Sequence, residues 1–169
     1  TIISTGRILA RVFEIRPVQG SYNPPPFGVA IQGLTVQGGR PRSGSDGLLS
    51  GDGGGIWNRG QVLSLRNVRI HENFARRGGG ISNDRGELCL SASSINGNTA
   101  TRRGGGIENK GLLIARNRTF IENNLAPYVE PRSPGELEDG AYHNIWGGGG
   151  IASYHGDTYL MEGTQVRSN

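Results

Sequence analysis

Short apolar segments separated by glycine recur along the chain at a nearly constant interval. The segments GGGIWN, GGGISN and GGGIEN begin at residues 53, 78 and 104, and GGGGIAS covers 147–153. Each unit also contains an apolar residue that is followed three positions later by asparagine. These pairs are Ile70 and Asn73, Ile95 and Asn98, Phe120 and Asn123, and Val166 and Asn169. A partial unit at 29–39 has Val36 and Gly39 in the same two places, and RILARVFEI (7–15) is an earlier, more degenerate unit.

Inside each unit the apolar residues alternate with polar ones, as in a strand with one buried face. The expected inward positions are Leu63, Leu65 and Val68 before Ile70, Leu88, Leu90 and Ser93 before Ile95, and Tyr159, Met161 and Thr164 before Val166. A break in the alternation predicts a bend between two short strands, and the GGGI segment supplies a third strand. The sequence therefore predicts an all-β chain that forms a right-handed parallel β-helix (a solenoid) of about five to six coils, each of about 25 residues. A helical fold is excluded because no stretch sustains a 3.6-residue period.

Two sets of asparagines recur once per unit and are expected to stack. Side-chain amides of stacked parallel strands bond from one strand to the next. One predicted ladder contains Asn73, Asn98, Asn123 and Asn169, and the other contains Asn58, Asn83 and Asn109. Both would lie at bends, where they hold successive coils in register.

Three segments depart from the repeat and are expected to form loop insertions at about 21–27, 40–52 and 127–146. Loops that project from a rigid scaffold commonly carry recognition. The aromatic residues Tyr128, Tyr142 and Trp146 are therefore candidates for recognition of a ligand or partner by the third insertion. The chain, residues 1–169, is expected to be a single domain of a longer chain or assembly, because an uncapped solenoid end has unpaired strand edges.

The mild basicity of the chain suits an acidic glycan, a lipid headgroup or nucleic acid about equally. The formal net charge is +4 with a pI near 9.7, and Lys110 is the only lysine beside many arginines. No nucleic-acid-binding signature accompanies this charge, and we expect an acidic polysaccharide or a protein as the partner, docked on an open end of the solenoid or on the loops. No apolar run is long enough for a transmembrane helix, and the single cysteine, Cys89, precludes an internal disulfide.

The repeat resembles those of bacterial right-handed β-helix surface proteins. The likeness is to the pectin-lyase-like proteins and to the chlamydial polymorphic outer-membrane proteins, whose motifs are GGA[ILV] and FxxN. Here the first motif has glycine for alanine, as in Gly54-Gly55-Ile56, and the second occurs as Phe120-Ile121-Glu122-Asn123. The resemblance covers about residues 29–169. It implies export to the cell surface or the extracellular space, and some relatives in the wider superfamily act on polysaccharides.

No catalytic, metal-binding or cofactor-binding set emerges from the sequence. Asp84 and Glu108 fall near positions where a polysaccharide lyase would place carboxylates, but they are interpreted as solvated turn residues. The histidines lack metal-ligand spacing, and Cys89 is expected to point outward between Leu88 and Leu90. Whether the protein is an enzyme stays open, with a noncatalytic role preferred.

The strongest functional signal is a basic edge, a candidate site for an anion or an acidic glycan. Pairs of arginines directly precede two of the GGG segments, one coil apart, and other cations follow the strands. The candidate residues are Arg76, Arg77, Arg102 and Arg103 before the glycines, and Arg59, Arg85 and Lys110 as a second column. The alternative is that these side chains only keep the edge soluble. We therefore expect a noncatalytic, adhesin-like surface scaffold or a structural subunit, with a carbohydrate-active enzyme on an acidic glycan as the alternative.

Overall fold

A computed structural model describes residues 1–4, 10–17, 28–42, 51–127, 148–153 and 155–169. In this part of the chain all regular structure is β, arranged as eighteen short strands numbered in chain order. Every strand pairing is parallel. Strands that are neighbours in a sheet come from successive units of the sequence, so the units stack in the manner of a β-solenoid.

Three sheets run the length of the stack, and a two-stranded sheet accompanies them. Sheet I contains β2 (Phe13–Ile15), β5 (Ile56–Arg59), β9 (Ile81–Asp84), β13 (Ile107–Asn109) and β16 (Ile151–Ser153). Sheet II contains β3 (Gly28–Gln32), β6 (Val62–Arg66), β10 (Glu87–Ser91), β14 (Leu112–Arg116) and β17 (Asp157–Leu160). Sheet III contains β1 (Ile2–Ser4), β4 (Thr35–Gln37), β7 (Arg69–His71), β11 (Ser94–Asn96), β15 (Phe120–Glu122) and β18 (Gln165–Arg167). The strand pair is β8 (Phe74–Arg77) with β12 (Thr99–Arg103).

The core is a set of columns of like side chains. Leu63, Leu88 and Leu113 lie opposite one another in sheet II, and all three are completely buried. Ile70, Ile95 and Ile121 form the equivalent column in sheet III, and Ile56, Ile81 and Ile107 form that of sheet I. Each fully buried Leu or Ile contributes about 1.5–3 kcal/mol. The predicted inward alternation is confirmed for these coils.

Both predicted asparagine ladders form, but one member was assigned wrongly. The Nδ2 of Asn98 donates to Oδ1 of Asn124 at 2.9 Å, and Asn124 donates to Asn169 at 3.1 Å. Asn123 is exposed instead and has a φ of 54°. The step from Ile95 to Ile121 is 26 residues because the preceding turn contains two left-handed residues, Asn117 and Arg118. Phe120 is accordingly opposite Ser94 rather than Ile95.

A longer turn within the last coil also corrects the inward positions expected there. Thr158 pairs with Leu113, and Leu160 pairs with Ala115, so these two residues continue the columns of sheet II. Tyr159 and Met161 are 53% and 49% exposed. The turn of this coil is lengthened at Glu162 and Gly163, both of which have positive φ.

The second ladder is continuous across three coils. Asn58 donates to Oδ1 of Asn83 at 2.9 Å, and Asn83 donates to Asn109 at 2.8 Å. The predicted insertions lie largely outside the described residues. Near the end of the second insertion, Asp52 forms an isolated parallel β-bridge with Arg77. The carbonyl of Gly51 accepts a hydrogen bond from the amide of Arg76.

Candidate anion-binding face

The candidate site lies on the outward side of sheet I. In the middle strands β5, β9 and β13 an inward isoleucine and an inward asparagine flank one residue that faces out; Phe13 and Ile15 take these two places in β2, and Ile151 and Ser153 take them in β16. Parallel register stacks these outward residues in one column: Glu14, Trp57, Ser82, Glu108 and Ala152. We use the name sheet I face for this column together with the charged residues that precede and follow it in the coils. These are Arg11, Asp52, Arg59, Arg76, Arg77, Asp84, Arg85, Arg102, Arg103 and Lys110. Its geometry follows from the GGGI-x-N motif, because x is the position that the flanking inward residues force outward.

At one end of the column, Trp57 contacts two arginines. The guanidinium of Arg11 lies 4.2 Å from the centre of the indole ring, and that of Arg59 lies 4.4 Å from it. Such cation–π contacts contribute about 0.5–2 kcal/mol each, depending on exposure. Glu14 accompanies the cluster, with carboxylate oxygens 3.6 Å from Arg11 and 3.3 Å from Arg59. The indole and the carboxylate thus hold both guanidinium groups at the surface of the sheet.

The side chain of Arg11 is more deeply buried than that of Arg59. Removal of the guanidinium from water lowers the pKa of Arg11, and the nearby carboxylates of Glu14 and Asp52 partly offset this effect. An arginine in a protein remains protonated even so. Arg11 is therefore a partly desolvated cation. Its attraction to a bound anion is stronger than it would be in bulk water.

Near the other end of the column, Glu108 is completely buried and bound by the protein itself. Its Oε1 accepts a hydrogen bond from Nε of Arg103 at 3.0 Å and lies 3.8 Å from Nζ of Lys110. Its Oε2 accepts one from the hydroxyl of Ser82 at 3.0 Å. The interpretation of Glu108 as a solvated turn residue was wrong. The acid survives burial because its charge is compensated by two cations and a hydroxyl donor.

The arginines that precede the glycines are partly in the predicted arrangement. Arg77 and Arg103 lie opposite each other in the pair β8–β12, and Asp52 lies on the other side of Arg77. An extra residue in β12 lies between Ala100 and Arg103, so the second arginine of each pair is stacked, whereas Arg76 and Arg102 fall at the irregularity. Arg76 is half-buried and Arg102 is exposed. The edge is thus less repulsive than a pure arginine column, because acids are interleaved with the cations.

The second predicted column, Arg59, Arg85 and Lys110, is not formed as expected. Asp84 lies opposite Arg59 in the register of β5 and β9, and the amide of Lys110 donates to the carbonyl of Asn83, one residue before Asp84. Arg85 lies in the adjacent turn with a φ of 59°, and its side chain is 86% exposed. The turn that contains Lys110 is one residue shorter. Arg85 therefore projects from the face, whereas the other two cations flank an acid.

Sequence reasoning missed the outward column itself. Arg11, Glu14 and Trp57 were not among the candidate residues, although the x position of GGGI-x-N and the Arg-x-x-Glu spacing of 11–14 were visible. The loop candidates Tyr128, Tyr142 and Trp146 lie outside the described residues. Cys89 points outward as predicted, and its pKa is raised by burial and by the hydrogen bond to Glu87.

Within the described ranges, no group of three or more His, Cys, Asp or Glu side chains is arranged to hold a metal ion. The same ranges contain no helix long and apolar enough to cross a membrane. Neither a family model nor a curated protein nor a solved structure matches this chain.

Proposed function

We propose that this protein is a noncatalytic scaffold that binds an acidic polysaccharide on the sheet I face. The supporting observation is the way in which this face already holds carboxylates. Arg103 and Lys110 bind Glu108, and Arg11 and Arg59 bind Glu14 beside an indole. Guanidinium groups match carboxylate oxygens in geometry as well as charge. The side chains that suit the carboxylates of an acidic glycan are thus arrayed along the face.

The balance of charge on the face supports an anionic partner. Among the described residues of the face, eight are basic and four are acidic. The basic ones are Arg11, Arg59, Arg76, Arg77, Arg85, Arg102, Arg103 and Lys110, and the acidic ones are Glu14, Asp52, Asp84 and Glu108. Because neighbouring coils are about 4.8 Å apart, charges on adjacent coils lie within one screening length of about 8 Å at physiological salt. A polyanion that crosses several coils would meet a net positive surface.

The finer structural proposal is a right-handed parallel β-helix of the pectin-lyase-like kind, exported to the cell surface or secreted, with an adhesin-like or structural role. Parallel stacking and the GGGI-x-N repeat support it. Right-handedness is the rule for parallel crossovers. A crystal structure tests the handedness, and a left-handed path of the chain would contradict this part of the proposal.

Binding is preferred to cleavage because of the state of Glu108. A glycosidase needs a carboxylic acid that can reach the glycosidic oxygen, whereas Glu108 is inaccessible and already bound to Arg103 and Lys110. The alternative, a carbohydrate-active enzyme on an acidic glycan, would require another acid. It is tested by incubating the protein with polygalacturonate, with and without calcium, and measuring new reducing ends and unsaturated products.

The binding proposal is tested with polygalacturonate, which carries carboxylates only. The test variant replaces Arg59, Arg76, Arg85 and Arg102 with glutamine and keeps Arg103 and Lys110, the partners of Glu108. We expect at least roughly tenfold weaker binding at low salt, with a shallower dependence on salt concentration. The control variant removes the same charge elsewhere, at the exposed Arg66, Arg69, Arg116 and Arg118. Equal losses in the two variants would mean that total charge, rather than this face, determines binding.

A further inference from the structure

A second basic surface lies on another side of the solenoid, at the turns that join sheet II to sheet III. Arg66 and Arg116 end strands β6 and β14, and Arg69 begins β7 in sheet III. Arg118 follows in the turn after β14, with a φ of 57°. All four are exposed. We name this surface the II–III edge.

The II–III edge differs from the sheet I face in how its charge is compensated. The guanidinium groups of the sheet I face include several in ion pairs, such as Arg103 with Glu108 and Arg59 with Glu14. In the part of the chain that the structure describes, none of the four edge arginines makes an ion pair. Its charge is therefore available to a ligand without displacing a carboxylate of the protein.

A groove of about 230 Å³ opens on the same edge. It crosses three coils. Four of its eight lining residues have polar side chains, namely Thr35 from the first coil, Asn67 and Arg69 from the second and Ser94 from the third; the others are Gly33, Leu34, Val68 and Ala92. The hydroxyl and amide groups are hydrogen-bond donors, and the guanidinium of Arg69 adds charge. A concave surface with converging donors holds a small ligand better than a flat row of arginines does.

The register places further cations on either side of the groove. Arg66 and Arg116 stand opposite Ser91 from the two neighbouring coils, so their backbones are about 9.6 Å apart, twice the usual strand spacing. Arg66 directly precedes the groove residue Asn67, and Arg116 lies one coil beyond Ala92. Both are therefore near enough to contact a ligand that extends from the groove along the coils.

The conformation of the turn keeps the backbone at this edge close to the surface. Gly33, Asn67 and Ala92 all have left-handed φ, between 49° and 69°, in successive coils. Ala92 offers only a methyl group, and Gly33 has no side chain at all. These small residues leave space in the groove for a compact oxyanion.

From these observations we propose that the II–III edge is a binding site for a phosphate or sulfate ester. A compact oxyanion suits a groove that is lined by the guanidinium of Arg69 and flanked by the exposed Arg66 and Arg116, and arginine forks match the oxygens of phosphate and sulfate. Neutral hydroxyl and amide donors complete the coordination. This site is separate from the sheet I face and does not depend on the acidic polysaccharide proposed for that face.

The experiment uses the whole chain and two probes that separate the sources of the oxyanion. Inorganic pyrophosphate represents phosphate, and inorganic sulfate represents sulfate; neither probe contains a carboxylate or a sugar ring. Backbone amide shifts are followed by NMR at low ionic strength. We expect the largest shifts at Asn67, Arg69, Ala92 and Ser94 with at least one probe. Replacement of Arg66, Arg69, Arg116 and Arg118 by glutamine should weaken that binding at least tenfold.

The matched control is the variant with Arg59, Arg76, Arg85 and Arg102 replaced by glutamine, which loses the same charge from the sheet I face. It should bind the preferred probe within about twofold of the original chain. Binding of neither probe, the largest shifts outside the groove, or equal weakening in both variants would overturn the proposal. All four arginines of the edge are exposed, and thermal unfolding of the edge variant verifies that it remains folded. The polygalacturonate result has no bearing on this outcome, so failures of the two proposals are distinguishable.

Discussion

At the scale of single residues, the asparagines contribute most to the register of the coils. Asn98 is completely buried, and its Oδ1 accepts hydrogen bonds from both the backbone amide and the Nδ2 of Asn73. Its own Nδ2 donates to Asn124, to the carbonyl of Ile70 and to that of Asn96. One side chain thus satisfies polar groups of three coils. Burial of these groups without partners would be unfavourable.

This bonding pattern predicts that replacing Asn98 destabilises the protein much more than replacing Asn123. Asn98→Ala should lower the free energy of unfolding by about 2–4 kcal/mol, because it leaves buried donors of Asn73 and a buried carbonyl unpaired. Asn123→Ala should lower it by less than about 1 kcal/mol, since Asn123 is exposed and only its left-handed φ is affected. Urea unfolding of both variants measures the difference. Similar losses would mean that the ladder runs through Asn123 after all.

The same residues show what the sequence could and could not predict. The repeat located Ile70, Ile95, Asn73 and Asn98 correctly, because burial imposes one residue type at one position per coil. It failed at Asn123, since the adjacent Asn124 is an equally good candidate and the extra residue lies in an exposed turn. Exposed turns tolerate an additional left-handed residue without any change in the core, so strict spacing is lost there first.

At the scale of the strand, the outward position of sheet I contributes both to the charge of the face and to the stability of the stack. Ile107 and Asn109 point inward, and Glu108 between them faces out yet is buried beneath Arg103 and Lys110. The alternation of apolar and polar residues did not indicate this burial, because a glutamate at an outward position is normally solvated. Only the cations five residues before it and two residues after it indicated a partner, and their relevance depends on the turns at both ends of β13.

We predict that Glu108 stabilises the stack far more than an exposed acid does. Glu108→Ala should lower the free energy of unfolding by about 1.5–3 kcal/mol, because Arg103 and Ser82 lose a charge-assisted acceptor in a buried setting. The control is Glu122→Ala, whose carboxylate pairs at 2.8 Å with an Arg167 side chain that is 58% exposed. That pair should contribute less than about 1 kcal/mol. Equal effects in thermal or urea unfolding would show that Glu108 is solvated in solution.

At the scale of the whole molecule, stability should vary along the stack, because each coil contacts only its neighbours. The inner coils are covered on both sides, and Leu88, Leu90 and Ile95 have no exposed surface. In the last described coil, Leu160 and Val166 are 47% and 41% exposed. Among the described residues, strand β18 pairs with β15 alone, on one side. Leu160 and Val166 are therefore only about half as buried as the equivalent residues of the inner coils.

Hydrogen exchange should reveal this gradient at two equivalent amides. The amide of Ser94 donates to Val68 at 2.9 Å and that of Gln165 donates to Thr119 at 3.0 Å, so the two bonds are matched in geometry and in column. Half-exposure of two apolar side chains and one-sided pairing lower the opening free energy of the last coil by about 2–3 kcal/mol. Gln165 should consequently exchange roughly 30–150 times faster than Ser94, since each 1.4 kcal/mol is a factor of ten. The measurement is repeated at two protein concentrations, because association through β18 would slow Gln165 at the higher one. Equal protection of both amides at both concentrations would contradict a stack that opens coil by coil, and would require the chain to unfold as a single cooperative unit.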